Sequence, residues 1–149
     1  MSPEPLKLRA QDEEDIRVLA ACLQDSLVPI CEMDFFPEDR RFVLVANRFC
    51  WENCEEVRHE VGAYERVNCG LAFETVSAVR TRNIDRSDRG QILNLLTIEV
   101  EDQAVKLLFA GGGVISLAVE RIDGLLRDFG EPWPTKWRPQ HSALEGDQA

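Results

Sequence analysis

The sequence lacks the features that mark membrane and secreted proteins. No stretch approaches the roughly 20 consecutive apolar residues that a membrane-spanning helix needs. The first 15 residues contain five carboxylates, whereas a secretory signal peptide needs a basic start and an uninterrupted apolar run. The sequence therefore predicts a cytoplasmic protein.

Positive charge is also scarce. The chain carries 17 lysines and arginines against 27 aspartates and glutamates, which gives a net charge of −10. Long-range electrostatics of this sign repel nucleic acid and anionic lipid headgroups. The sequence shows neither a basic stripe nor a ladder of aromatic residues for stacking on bases. We therefore expect no binding to nucleic acid or to membranes.

Residues for nucleophilic or metal chemistry are few. The only histidines are His59 and His141, and there is no Gly-x-Ser-x-Gly nucleophile elbow. The spacing of Cys50, Cys54, His59 and Cys69 matches no structural zinc pattern. A Cys54–His59 pair is the one catalytic arrangement that the spacing suggests, and a solvated His59 is the simpler interpretation. We predict no catalytic residues, no metal site and no cofactor.

Length and composition describe one ordinary domain. A chain of 149 residues with 44% hydrophobic and 30% charged residues has enough material for a core without metal or disulfide staples. Five cysteines cannot all pair within one chain, and reduced thiols are the simplest interpretation. We expect a single α+β domain over residues 1–141 and a disordered tail over residues 142–149.

The pattern around which the chain is organised covers residues 105–130. Apolar residues alternate from Val105 to Phe109, a glycine triplet interrupts them at 111–113, and alternation resumes from Ile115 to Val119, which predicts a hairpin. A strand follows the triplet, so we interpret it as a turn and not as a phosphate loop, which would lead into a helix.

From Val119 the apolar spacing lengthens toward that of a helix. The apolar positions that follow are Ile122, Leu125, Leu126 and Phe129. Gly130 and Pro132 are typical of a helix end. The pattern predicts a C-terminal helix that covers the sheet, with Leu126 buried beneath it.

The rest of the chain alternates strands and turns after one early helix. A short strand at residues 6–10 precedes an acidic cluster, and an apolar stripe from Ile16 to Leu27 predicts a helix that Pro29 ends. Residues 31–51 form a hairpin whose return strand is apolar on both faces and therefore central. A long mobile connection is expected at 52–66, a strand with a break near Thr75 at 67–79, a polar loop at 80–90, and a strand at 92–100.

About seven strands in meander order, one early helix and one C-terminal helix make an α+β fold. We expect an antiparallel sheet or partly closed barrel capped by the C-terminal helix, which resembles the pleckstrin-homology-like arrangement. The alternative is an open antiparallel sheet with both helices on one face.

Three groups of residues are candidates for binding. Asn47 and Arg48 interrupt an apolar strand just before Trp51, so either Arg48 pairs with a carboxylate and Asn47 bonds a neighbouring loop, or Arg48 and Trp51 form a binding surface. Arg80 and Arg82 open a loop that also holds Arg86 and Arg89. These arginines form either salt bridges with Asp85 and Asp88 or an anion pocket.

The third group is Trp133 and Trp137, in a proline-rich tail. Prolines stiffen this tail and lower the entropy lost when it docks, so we expect both tryptophans to fold back onto the domain. The alternatives are a partner-binding arm and docking on a second copy in a homodimer.

Several scattered runs resemble one known family. They are Leu23-Gln24-Asp25, Arg40-Arg41-Phe42, Asn47-Arg48-Phe49, Trp51-Glu52, Phe109-Ala110-Gly111-Gly112 and Trp133-Pro134-Thr135. Over residues 6–141 the chain resembles a family of small uncharacterised bacterial proteins known only as a domain of unknown function. The resemblance implies no activity, ligand or catalytic residue.

These observations favour a soluble binding or interaction module. An unknown protein partner or a second copy is the expected partner class. The alternative is a small enzyme with an unrecognised active site, which a deep pocket lined by a titratable group of perturbed pKa would indicate.

Overall fold

The computed structural model describes residues 6–51 and 64–135, which form ten strands, one α-helix and one 3-10 turn. The elements in chain order are β1 (Lys7–Ala10), α1 (Glu13–Leu23), β2 (Ser26–Pro29), the 3-10 turn (Ile30–Glu32), β3 (Met33–Phe36), β4 (Arg41–Phe49), β5 (Tyr64–Phe73), β6 (Val76–Arg82), β7 (Ile92–Glu101), β8 (Ala104–Phe109), β9 (Val114–Val119) and β10 (Gly124–Thr135).

All the described strands belong to one antiparallel sheet. Its order is β1-β10-β5-β4-β2-β7-β8-β9-β6, and β3 lies beside β2 on the same edge of β4. Side chains from all of these strands and from α1 pack into one hydrophobic core. The sheet therefore curves around its core, and β3 and β6, which do not pair with each other, become the walls of one cleft.

Helix α1 begins where the sequence predicts it. The Asp12 carboxylate accepts a hydrogen bond from the Asp15 amide and caps the first turn, and the Ile16–Leu19–Leu23 stripe is buried. The helix ends earlier than predicted because Asp25 adopts a left-handed conformation, with φ of 63°. Leu27, the last residue of the apolar stripe that predicted the helix, lies in β2, where buried and partly buried residues alternate.

The two predicted hairpins are present. In β8–β9 the turn uses Gly111 and Gly112 at φ of 87° and 88°, a region that glycine enters at no steric cost. In β3–β4 the turn ends at Arg40, and β4 is an internal strand as predicted. The expected break near Thr75 lies between β5 and β6, with φ of 57° at that residue.

The predicted C-terminal helix is wrong, because the residues after Gly124 form strand β10. Leu126 points into the core, while Leu125 and Phe129 point outward, so apolar residues occupy both faces. The next inward position after Leu126 is the charged residue Asp128, which is buried. These two features hide the two-residue period of a strand and imitate helical spacing. The pleckstrin-homology-like arrangement and its two-helix alternative both required this helix, so both are overturned.

Part of the predicted tail is also strand. The register of β10 shifts between Phe129 and Trp133, with Gly130 at φ of 72°, and pairing with β5 then resumes with Trp133 opposite Arg66. Trp133 is half-buried there. Trp137, the predicted disordered tail and residues 52–63 of the predicted mobile connection lie outside the described residues, whereas residues 64–66 belong to β5. Within the described ranges, no helix has both the length and the apolar character needed to cross a membrane.

The burial of Leu126 gives a stability prediction. Its side chain is 0% exposed, so Leu126→Ala should lower the free energy of unfolding by about 2–5 kcal/mol, the cost of lost apolar transfer plus a cavity. Urea denaturation measures this. The matched control is Leu96→Ala, at a position 39% exposed, which should cost less than about 1 kcal/mol. Equal midpoints for the two variants would contradict the core role of β10.

Candidate functional site

The structure separates the predicted binding residues. Asn47, Arg48, Trp51 and Trp133 lie toward one end of the β4–β5–β10 region, whereas Arg80 and Arg82 lie on β6, at the far end of the sheet order. No single described surface therefore contains all of them.

Arg48 is buried in an ion pair and does not face solvent. Its Nε and Nη2 atoms donate to Oδ1 and Oδ2 of Asp128 at 2.8 and 2.7 Å, a two-point contact between side chains that are 1% and 7% exposed. Asp128 Oδ2 also accepts from the Leu6 amide, and the Asp128 amide donates to the Leu6 carbonyl. The guanidinium therefore has a structural partner on β10 instead of an exposed ligand.

Cys69 lies on β5 between the two strands that carry this pair. It is opposite Ala46 of β4 and Asp128 of β10. Burial raises the pKa of its thiol to about 12; the Arg48 guanidinium lowers this pKa, and the Asp128 carboxylate raises it. A thiol with so high a pKa stays protonated and is a poor nucleophile.

Asn47 and Trp51 also make structural contacts. Arg66 Nη1 donates to the carbonyl and to Oδ1 of Asn47, and burial lowers the pKa of this guanidinium. Arg66 lies 5.7 Å from the ring centre of Phe49, which in turn meets Trp51 edge to face at 4.7 Å. Trp51 Nε1 donates to the carbonyl of Gln24 at the end of α1. This region ties the end of β4 to the helix.

The cleft between β3 and β6 has the character of a binding site. Its volume is about 450 Å³. The apolar lining residues are Ile30, Met33, Phe35, Phe42, Val79, Ile84 and Ile115, and the polar ones are Asp34, Thr81, Arg86 and Arg89. The cleft thus combines apolar walls with two cationic groups.

Arg86 and Arg89 belong to the loop that follows β6. Asp85, in the same loop, accepts from the Ser87 hydroxyl at 2.6 Å and from the Ser87 amide at 3.0 Å, and these bonds hold the pKa of Asp85 below its ordinary value. Within the part of the chain that the structure describes, neither arginine forms an ion pair. The expected salt bridges with Asp85 and Asp88 are not formed, and both guanidinium groups are available to a ligand.

A second basic surface lies on the outer face of the same strand. Arg80 of β6 and Lys106 of β8 both stand opposite Ser116 of the intervening strand β9, and Arg82 lies two residues further along β6. These residues line a shallow depression with Thr81 and Val114. Lys106 is bonded to Glu101 at 2.8 Å, whereas Arg80 and Arg82 have no carboxylate partner among the described residues. The surface therefore retains two unneutralised arginines.

Sequence reasoning found the arginines but missed the apolar half of the cleft. Val79 and Thr81 alternate with Arg80 and Arg82, which is a strand pattern with apolar residues on one face and basic residues on the other. The prediction of a polar loop from residue 80 is therefore wrong for Arg80 and Arg82, which belong to β6, and this alternation is the sequence signal for that strand. The position of β3 on the opposite side of the cleft depends on long-range topology, for which there is no local sequence signal. In residues 6–51 and 64–135, no cluster of histidine, cysteine, aspartate and glutamate is arranged to hold a metal ion.

The buried pair gives a second stability prediction. Asp128→Asn leaves the Arg48 charge buried without its counter-charge, so the free energy of unfolding should fall by about 3–5 kcal/mol, as measured by urea denaturation. The double variant Arg48→Met/Asp128→Leu removes both charges and should recover most of that loss. If Asp128→Asn is as stable as the parent protein, solvent already screens the ion pair and the prediction is wrong.

The environment of Cys69 gives a prediction on pH. The folded thiol has a raised pKa, so its contribution to stability is fully present below the ordinary pKa of 9.0 and is lost as the pH rises through about 12. In the folded protein near pH 9.0, iodoacetamide should modify the exposed Cys31 and leave Cys69 intact, as peptide mass spectrometry would show. Equal modification of the two thiols would contradict the described burial.

Comparison with known proteins identifies a family and adds no activity. No curated protein and no solved structure is significantly similar to this chain. A family model described as "Protein of unknown function (DUF2948)" matches residues 6–141, nearly the whole chain and the same span as the resemblance found in the sequence. The family description assigns no catalytic activity, ligand or partner. The chain belongs to the DUF2948 family of proteins of unknown function.

Proposed function

We propose that the protein is a binding module whose ligand occupies the β3–β6 cleft and combines an apolar body with an anionic group. The observation that carries this proposal is the meeting of apolar walls and two unpaired arginines in one cavity. Binding sites of this kind are concave, mostly apolar and equipped with a few convergent polar groups.

The apolar part of the ligand is accommodated by side chains from four parts of the fold. Met33 and Phe35 come from β3, Phe42 from β4, Val79 from β6 and Ile115 from β9. Phe42 and Ile115 also belong to the buried core, so the floor of the cleft is rigid. The volume of about 450 Å³ is within the range of small-ligand sites.

The anionic part of the ligand is directed to one end of the cleft. Guanidinium groups bind carboxylate and phosphate through two parallel hydrogen bonds, and Arg86 and Arg89 are both available for this. Asp34, on the β3 wall, repels an anion. The anionic group therefore binds beside the loop and the apolar body extends along the strands.

Binding is preferred to catalysis for this cleft. Its lining residues include no histidine and no cysteine, and thus no thiol–imidazole pair. Cys69, whose pKa is raised, is buried in the core and stays in the unreactive thiol form. No observation in the described parts favours the enzyme alternative.

The cellular setting that we propose is the cytoplasm, with a protein or small molecule as the partner. No disulfide joins the four cysteines of the described parts, which is typical of a reducing compartment. The net charge of −10 disfavours nucleic acid and anionic membranes as partners. The two basic surfaces on either side of β6 favour a partner that carries negative charge.

The fluorescent probe 1-anilinonaphthalene-8-sulfonate tests the cleft, because it carries a sulfonate on an apolar ring system. We expect saturable binding to the folded protein, and Arg86→Gln/Arg89→Gln should weaken it by about tenfold through loss of the anion contacts. Titration of the probe fluorescence gives the Kd.

Two control variants locate the bound probe. Arg80→Gln/Arg82→Gln removes the same charge from the outer face of β6 and should leave the Kd within about twofold. Thr81→Trp fills the cleft without changing its charge and should abolish binding at an unchanged melting temperature. Probe binding that none of these variants alters would place the ligand elsewhere and overturn the proposal.

A further inference from the structure

Strand β6 ends the described sheet, and among the described strands one edge of its backbone has no neighbour. It pairs with β9 on one side, and no described strand pairs with its other side. In residues 6–51 and 64–135, the one partner of this free side is the carbonyl of Arg40, which accepts from the Val76 amide at 2.8 Å. Over residues 78–82, the N–H and C=O groups of every second residue therefore point away from β9, on the side where Val76 is bonded to the β3–β4 turn. Such an edge is a template for another strand.

We propose that the partner of this edge is an extended polypeptide segment that adds to β6 as a further strand, with acidic residues at alternate positions and apolar residues between them. This inference rests on the proposed binding function of the cleft and names its ligand class. Backbone hydrogen bonds to β6 provide affinity, and side chains at alternate positions provide specificity, as in other cases of strand addition.

The two faces of β6 determine which kind of side chain suits each position of the added strand. Val79 and Thr81 face the cleft, where Met33, Phe35 and Ile84 complete an apolar wall. Arg80 and Arg82 face outward. Because successive side chains of a strand point to opposite faces of a sheet, every second residue of an added strand enters the apolar cleft and the others stand beside the arginines.

Charge determines which residues suit the outer positions. Arg80 and Arg82 have no carboxylate partner in the described parts of the chain, whereas Lys106 in the same depression is paired with Glu101. Opposite charges on neighbouring strands stabilise the pairing and like charges destabilise it. The outer face of β6 thus accepts aspartate or glutamate and rejects lysine or arginine.

The ends of the cleft limit the length of the added strand. At one end the Val76–Arg40 hydrogen bond joins β6 to the β3–β4 turn. At the other end the loop with Arg86 and Arg89 leads to β7 and meets the 3-10 turn, where the Ile30 amide donates to the Gln91 carbonyl at 3.0 Å. Strand β3, the opposite wall, has 4 residues. The segment that fits is therefore short.

Two copies of the protein do not suit each other through their β6 edges, or through β6 and β1. The other terminal strand of the described sheet, β1, carries Lys7 and Arg9, and β6 carries Arg80 and Arg82. Pairing any two of these edges would place basic side chains next to one another. Positive charge on an edge strand disfavours pairing with another positively charged edge. It does not disfavour pairing with an acidic strand.

A labelled peptide of alternating glutamate and valine, about seven residues long, tests the inference. Fluorescence polarisation should show binding at physiological ionic strength, and amide hydrogen exchange of residues 78–82 should slow in the complex. Replacing every glutamate of the peptide with lysine should abolish binding. In two further peptides, N-methylation blocks the amides of all valines or of all glutamates. At least one of these should lose affinity by about tenfold or more, because an added strand needs its N–H groups.

Protein variants test the named arginines. Arg80→Gln/Arg82→Gln should weaken peptide binding by about tenfold. The matched control Lys7→Gln/Arg127→Gln removes two positive charges from the neighbouring strands β1 and β10 and should leave it unchanged. Equal weakening by both variants would show attraction to net charge without a specific site and would overturn the inference.

The peptide and the sulfonate probe separate the two proposals. If the peptide displaces the probe, both proposals are supported. If the probe binds the cleft and the alternating peptide does not bind, strand addition is overturned and the proposed binding function stands. If neither ligand binds, both proposals fall.

Discussion

The buried ion pair between Arg48 and Asp128 is the constraint on which this half of the sheet depends. It joins β4 to β10 across β5, and through the hydrogen bonds between Asp128 and Leu6 it also holds β1. An unpaired charge at either position would be costly in a core closed to water, so the register of these strands is fixed by the need to bring the two groups together. A slip of one residue would turn Asp128 outward and leave Arg48 without its counter-charge.

The elements that the sequence predicts correctly have local signals, whereas the one that it predicts wrongly depends on this distant pair. Helix α1, both hairpins, the central position of β4 and the break at Thr75 follow from local signals: a capping carboxylate, alternation and turn residues. The last element was assigned the wrong class because Asp128 occupies an inward position of β10, where a strand pattern requires an apolar residue. The reason for a carboxylate there lies 80 residues earlier, at Arg48. No local window of sequence contains that information.

The candidate site was predictable to a similar extent. The arginines of β6 and its loop were recognisable as an unusual concentration of positive charge in an acidic chain. Alternation along β6 indicates that Arg80 and Arg82 share one face, but the approach of Arg86 and Arg89 to the cleft on the other face depends on how the loop and β3 are placed. Arg48 and Asn47 were also recognisable as polar residues in an apolar strand, and the structure gives them partners within the fold. The sequence thus indicates which polar and charged residues are unusual. Their partners and the surfaces that they share depend on the topology of the sheet.

The pairing of β1 with β10 sets the timing of folding during synthesis. Leu6 and Asp128 are 122 residues apart, so at ordinary rates of translation β1 waits roughly 6–24 s for its partner to be made. During that interval Arg48 lacks its carboxylate, and the edges of β1 and β5 that β10 later covers are open to other chains. Contacts between such distant residues also make folding slow, on the order of milliseconds to seconds once the chain is complete. The nascent chain is therefore at greatest risk of aggregation just before β10 leaves the ribosome.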